Sequence, residues 1–130
     1  MGLPGINSRT ANRTRGHHAE RLAEAWLRAR GLKALRRNYH CRQGELDLIM
    51  SDGDTLVFVE VRHRSSDGFG DSIDSITRNK RRRVIRAARH FLARNPRCAE
   101  RVCRFDVVGM AGALSAPRFE WIQNAFDAEY

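Results

Sequence analysis

Apolar residues recur every three to four positions in two segments of the chain, and this spacing predicts two amphipathic helices. The first helix runs from about Gly16 to Arg30, and Gly31 is placed to cap its C-terminus. The second runs from about Thr77 to Arg94 and ends at Asn95-Pro96. Residues 1–14 combine glycine, proline and arginine without this periodicity, and we expect them to form a flexible basic tail.

Five shorter segments have the composition of β-strands, and they lie at residues 33–40, 45–50, 55–61, 104–110 and 119–122. The second and third are predicted to form an antiparallel hairpin, because Asp52-Gly53 between them is a strong turn signal. Asn124, Ala125 and Phe126 are expected to pack as a terminal helix. The order helix, three strands, helix, strand, strand contains no linker, so residues 15–130 are predicted to form a single α/β domain.

The chain is strongly basic. It has 24 lysines and arginines against 15 aspartates and glutamates, a net charge of +9 and a pI near 10.9. A surplus of this size indicates a polyanionic partner such as nucleic acid, and solubility alone is the plainer alternative. Only Lys33 and Lys80 are lysines, which suggests that arginine has replaced lysine throughout this sequence.

Other bulk features exclude several classes of protein. No apolar run approaches the ~18 residues needed to span a bilayer. The N-terminal residues also lack a secretory signal, so we expect no membrane partner and a cytoplasmic location. The cysteines have no CxxC spacing and are expected to be reduced thiols: Cys41, Cys98 and Cys103. The histidines lack the spacing of a metal site: His17, His18, His40, His63 and His90.

Two carboxylates interrupt the apolar strands of the predicted hairpin. Asp47 lies in LDLIM and Glu60 in VFVEV, and the turn between the strands brings them opposite each other or one step apart. Buried charges that repel each other are costly, and a shared divalent cation would relieve the repulsion. Mg²⁺ (or Mn²⁺) suits oxygen ligands beside a substrate phosphate. The alternative is that each carboxylate pairs with an arginine, and a structural role of this kind is expected for Asp106 in RFDVV.

The residues around this pair, GELDLI at 44–49 and VFVEVR at 57–62, resemble the YraN-like family of largely uncharacterised bacterial proteins. They are also similar to the active-site hairpin of archaeal Holliday-junction resolvases. The family resemblance covers most of residues 16–126 and continues through residues 16–20, Asn38-Tyr39, Phe69-Gly70, Lys80 and residues 104–108. It implies an α/β fold of the restriction-endonuclease-like kind, with an αβββαβ core in which helices flank a mixed central sheet.

The resemblance also implies roles for individual residues. Asp47 and Glu60 would be metal ligands, together with the carbonyl of Val61. Glu20 matches an acidic residue that resolvase-like members contribute from the first helix. From the sequence pattern alone Glu20 is ambiguous. It lies next to Ala19 and Ala23 on the core-side edge of the helix, but Glu24 one turn later could pair with Arg28 on a solvated face.

The catalytic lysine of the family is replaced by Arg62 in this chain. Arginine stays charged and cannot act as a base, although it can hold a phosphate and stabilise charge in the transition state. The replacement is either drift that keeps activity or a sign that catalysis has been lost. Lys80 could partly replace the missing lysine, since it lies near the start of the second helix. The favoured interpretation of Lys80 is nevertheless a solvated first-turn residue.

A basic cluster marks the start of the second predicted helix, where six cations fall within nine residues that contain no acid. With one arginine after the hairpin, the predicted nucleic-acid-binding residues are Arg64, Arg78, Lys80, Arg81, Arg82, Arg83 and Arg86. They favour a groove that follows phosphates and recognises shape rather than base sequence. A solvated helix face is the alternative. The loop at residues 65–74 would shape this groove.

Together these features predict a Mg²⁺- or Mn²⁺-dependent endonuclease that acts on branched or structured DNA. Its catalytic residues would be Glu20, Asp47, Glu60 and Arg62. Resolvase relatives are two-fold dimers, so a homodimer is expected if the substrate is a four-way junction. One alternative is a non-catalytic nucleic-acid-binding module that keeps the fold. Another is an adaptor whose basic patch binds an acidic protein.

Overall fold

Helices and strands follow one another along the chain in nearly the predicted order. The computed structural model describes residues 8–64 and 76–128, with side chains from residue 16 onward. Its elements are α1 (Ser8–Arg28), β1 (Lys33–Cys41), β2 (Gly44–Asp52), β3 (Thr55–Arg64), α2 (Arg78–Arg94), α3 (Pro96–Ala99), β4 (Cys103–Ala111) and β5 (Arg118–Phe126). This order confirms the αβββαβ core. The predicted groove-shaping loop at 65–74 and residues 1–7 of the predicted tail lie outside the described residues.

The strands form one five-stranded mixed sheet in the order β1-β2-β3-β4-β5. Neighbouring strands are antiparallel except β3 and β4, which are parallel. The central strand β3 is buried on both faces, since Val57 belongs to the core beneath α1 and Phe58 to the core beneath α2. A strand covered on both faces has a continuous apolar sequence, which explains the run LVFV that precedes Glu60.

Helix α1 begins at Ser8, about two turns earlier than predicted. Residues 8–14 of the predicted tail are therefore helical, and the predicted start of the helix at about Gly16 was wrong. In the sequence, Gly16 marks the point where the helical spacing of apolar residues begins. One glycine inside a helix costs only about 1 kcal/mol relative to alanine, so it need not end the helix.

The C-terminal end of the chain is a strand and not a helix. Strand β5 continues through Asn124 to Phe126, which corrects the predicted terminal helix and extends the predicted strand at 119–122. Asn124 has a positive φ of 52° and donates its N–H to Asp106. Phe126 stacks on Phe105 of β4, with ring centroids 5.0 Å apart. These tertiary contacts decide the conformation of a segment too short to form a stable helix.

The cysteines and the apolar content of the helices are the remaining features that the sequence analysis addressed. The three cysteines are free thiols, as predicted. Among the helices in the described part of the chain, none is both long enough and apolar enough to cross a bilayer.

Candidate active site

The hairpin strands β2 and β3 separate at the two predicted acidic residues. Their ladder runs from Asp52↔Thr55 to Leu48↔Val59, and in the same register the next pair is Asp47 and Glu60. Asp47 Oδ2 instead accepts a hydrogen bond of 2.9 Å from the N–H of Val61. A side chain therefore takes the place of a backbone carbonyl, and the sheet opens where the carboxylates lie.

Glu60 is buried without a hydrogen-bond partner for either carboxylate oxygen. The residue is only 1% exposed. Burial raises its pKa well above the usual value, and the nearby charge of Asp47 raises it further. Lys80 and Arg62 lower this pKa but do not offset the burial. A buried carboxylate in this condition is costly to fold, which makes it a candidate functional group.

Glu20 of α1 lies beside Asp47. It is 9% exposed, and its Oε2 is buried without a hydrogen-bond partner. Burial raises the pKa of Glu20 to about 8, and the charge and side-chain contact of Asp47 contribute, while Asn38 lowers it. The pKa of Asp47 is also raised, again chiefly by burial. The structure thus places Glu20 and Glu60 each close to Asp47, so that Asp47 connects the two other acids.

These residues fit a divalent cation of the Mg²⁺ type. Such an ion uses one or two protein carboxylates, water and substrate phosphate rather than a complete protein cage. Among the described residues, no set of three or more His, Cys, Asp or Glu side chains is positioned to hold a metal ion. The unpartnered oxygens of Glu60 are the groups that a cation would satisfy. Val61, predicted to use its carbonyl, contacts Asp47 through its N–H.

Lys80 belongs to this site, which corrects the favoured interpretation of it as a solvated first-turn residue. Its Nζ lies 3.7 Å from Glu60 Oε2 and 3.7 Å from Glu45 Oε1. The backbone of Lys80 is held in the first turn of α2, because its N–H donates to Oγ1 of the N-cap Thr77 at 3.1 Å. Helical periodicity could not reveal this position, which depends on how α2 packs on β2.

A cleft of about 550 Å³ opens beside Asp47. Its lining residues come from α1, β1 and β2: Gly16, His17, Glu20, Asn38, His40, Glu45, Leu46 and Asp47. His40 lies 3.2 Å from Glu45 through Nδ1. Sequence reasoning dismissed His17 and His40 because their spacing is not that of a metal site. His17 lies within residues 16–20 and His40 directly follows Asn38-Tyr39, and both segments take part in the family resemblance. This position was the one indication in the sequence that the two histidines lie near the site.

Arg62 and Arg64 stand at the end of β3. Arg62 follows Glu60 by two residues, so both side chains project from the same face of the strand. Its positive charge lowers the pKa of Glu60, which shows that it lies within electrostatic reach of the site. Arg64 is exposed and pairs with Ala111 at the end of the ladder to β4.

The predicted basic cluster on α2 faces several directions. Arg82 and Arg86 line a hollow of about 270 Å³ together with Ile85 and Arg89. Arg81 turns away from this hollow, donates through Nε to the carbonyl of Ile76 and lies over the ring of Phe126. Arg78 and Arg83 are exposed. The structure therefore groups two of the seven predicted residues, Arg82 and Arg86, and adds Arg89.

Comparison with known proteins supports the family resemblance. A family model described as "Uncharacterised protein family UPF0102" matches residues 19–110. A UPF0102 protein of Pseudomonas aeruginosa (strain LESB58) is 50% identical over 125 residues, which cover 95% of this chain and 100% of the relative. A UPF0102 protein of Nitrosococcus oceani is 50% identical over 91% of this chain and 95% of its own. One of Nitrosospira multiformis is 52% identical over 91% of this chain and 97% of its own.

Proposed function

This chain belongs to the UPF0102 family, which is YraN-like, and we propose that it is a metal-dependent endonuclease acting on branched or structured DNA in the cytoplasm. The observation that carries this proposal is Glu60, buried beside Asp47 with both carboxylate oxygens lacking hydrogen bonds. A structural carboxylate in a strand would be satisfied by donors. An unsatisfied one supports a role for a ligand that arrives later.

The residues of the site divide the work of phosphodiester hydrolysis. Asp47 and Glu60 would hold Mg²⁺ or Mn²⁺, which when bound supplies polarisation of the phosphate and of the attacking water. Arg62 remains charged and donates to phosphate oxygens, where negative charge grows in the transition state. Glu20, whose pKa is about 8, keeps a proton at neutral pH in the metal-free protein and so reduces repulsion with Asp47.

The substrate class follows from charge. A net charge of +9 and the arginine-lined hollow on α2 favour a phosphate backbone as ligand. Phosphate contacts position a nucleic acid without reading its bases, so the proposal is recognition of shape. Cutting both strands of a four-way junction requires two active sites, and a homodimer on such a substrate is part of the proposal.

The proposal is tested by incubating the purified protein with four-way junction, flap and linear DNA in the presence of Mg²⁺ or Mn²⁺. The wild type should cut at least one branched substrate, and Glu60→Gln should lower the rate by about 100-fold or more. Asp54→Asn, a change at an acidic residue in the hairpin turn, is the matched control and should leave the rate unchanged. Absence of cleavage by a folded wild type on every substrate would contradict the proposal.

Arg62 specifically favours a second candidate, a nucleic-acid-binding module that has lost catalysis. This module would bind branched DNA with strong salt dependence but would not cut it. Arg62→Lys separates the candidates. If this substitution turns an inert protein into a nuclease, the wild type is a binding module. If both proteins cut equally, the replacement of lysine by arginine is drift that keeps activity.

A further inference from the structure

Lys80 is one of only two lysines in the chain, and it is the one beside the carboxylates. The other, Lys33, is exposed at the start of β1. We propose that Lys80 supplies, from helix α2, the ammonium group that the hairpin lacks at position 62. This inference rests on the proposed endonuclease function and deepens it by assigning a further catalytic residue.

The contacts of Lys80 differ from those of a surface ion pair. Its side chain is 26% exposed, while its partner Glu60 is 2% exposed. Lys80 Nζ lies 3.7 Å from both Glu60 and Glu45, which is longer than a hydrogen bond. The ammonium therefore neutralises the two acids without a hydrogen bond to either. Lys80 can therefore turn to a phosphate or a water while it remains beside Glu60.

The backbone is arranged to bring this helix close to the hairpin. A Cβ atom at Gly44 would lie 2.1 Å from the carbonyl oxygen of Arg83, so only glycine allows β2 and α2 to approach this closely. Lys80 precedes Arg83 by about one helical turn. The close approach at Gly44 and the N-cap at Thr77 together fix the position of α2 on the hairpin, and they therefore fix the position of the Lys80 ammonium beside Glu60.

In the proposed reaction Lys80 acts as a hydrogen-bond donor and exchanges no proton with the substrate. A bond forms between the water oxygen and phosphorus while the bond from phosphorus to the leaving oxygen breaks. The attacking water loses a proton to solvent and the leaving oxygen gains one from solvent, so no oxidant or reductant is needed. Lys80 donates hydrogen bonds to the attacking oxygen and to a phosphate oxygen, and Arg62 stabilises the phosphate from β3.

The test removes the amine at position 80 and then introduces one at position 62. Lys80→Met should lower the turnover of the best-cut DNA by about 100-fold, with a smaller loss, about tenfold at most, in the binding of that DNA in the absence of metal. The double variant Arg62→Lys with Lys80→Met should recover at least about tenfold of that loss. Lys33→Met, the matched control, should behave as wild type. Lys80→Gln replaces Lys80→Met if the methionine variant fails to fold.

A second readout needs no catalysis. Calorimetric titration with Mn²⁺ alone should show about fivefold tighter binding to Lys80→Met than to wild type, because the variant lacks a positive charge beside Glu60. Unchanged cleavage by Lys80→Met, or no gain in the double variant, would overturn the inference and leave the proposed function standing. Unchanged Mn²⁺ affinity would also overturn it. A wild type that cuts no DNA removes the proposed function, and this inference with it.

Discussion

Two carboxylates on neighbouring strands of the sheet are equally buried but differ in their hydrogen bonds. Asp106 of β4 is 0% exposed, and it accepts hydrogen bonds from Arg104 Nε, from Trp121 Nε1 at 2.9 Å and from the N–H of Asn124 at 2.9 Å. Glu60 of β3 is 1% exposed and has no hydrogen bond at either oxygen. Burial alone thus does not identify a functional acid. The difference lies in whether the fold provides donors.

The donors around Asp106 also hold distant segments together. Arg104 contacts Asp106 at 3.0 Å and reaches Asp52 in the hairpin turn at 3.0 Å. Asn124 and Trp121 connect the same carboxylate to β5. Asp106 therefore stabilises the fold, as its sequence context predicted. The carboxylate of Glu60 connects no segment through hydrogen bonds, so its position in the interior requires another explanation.

The largest expected effect is on stability, and it comes from Asp106. Asp106→Ala leaves a largely buried arginine and two further donors without their acceptor, and it should lower the free energy of unfolding by about 3–5 kcal/mol. Urea denaturation measures this. A loss below about 1 kcal/mol would show that the Asp106 network is not structural.

Glu60→Gln should have the opposite sign in the metal-free protein. The substitution removes a charge that is buried, unsatisfied and repelled by Asp47. At pH 8 the variant should be as stable as wild type or more stable, by up to about 2 kcal/mol. The same urea titration applies, and a clear destabilisation would mean that Glu60 is satisfied in solution after all.

A smaller effect concerns pH. The pKa of Glu20 rises from 4.5 in the unfolded chain to about 8 in the folded protein. Between these values the folded protein holds a proton that the unfolded chain has lost. The contribution of Glu20 to stability is therefore complete below pH 4.5 and decreases as pH rises to 8.

Chemical denaturation of the metal-free protein at several pH values in this window should show the decrease, and Glu20→Gln should make it shallower by about 1.4 kcal/mol per pH unit at most. Asp54→Asn, made at an exposed acid in the hairpin turn, is the control and should leave the slope as in wild type. Identical slopes in wild type and Glu20→Gln would refute the shifted pKa.

Local signals account for the parts of the fold that the sequence predicted correctly. The Asp52-Gly53 turn fixes the register of the hairpin, and that register is enough to bring Asp47 and Glu60 together. Long-range packing accounts for what was missed. The approach of α2 at Gly44 places Lys80 in the site, and stacking of Phe126 on Phe105 keeps the last residues in a strand. Neither contact leaves a periodic pattern in the sequence.

Thermal melts of wild type and Asp47→Asn, each with and without Mn²⁺, test the central claim that these carboxylates form a cation site. At a Mn²⁺ concentration of about 100 Kd the wild type should gain about 2.7 kcal/mol of stability. Asp47→Asn should gain little and should be no less stable than wild type without metal. A wild-type melting temperature that does not respond to Mn²⁺, with a metal-free Asp47→Asn destabilised by about 3–5 kcal/mol, would contradict the account.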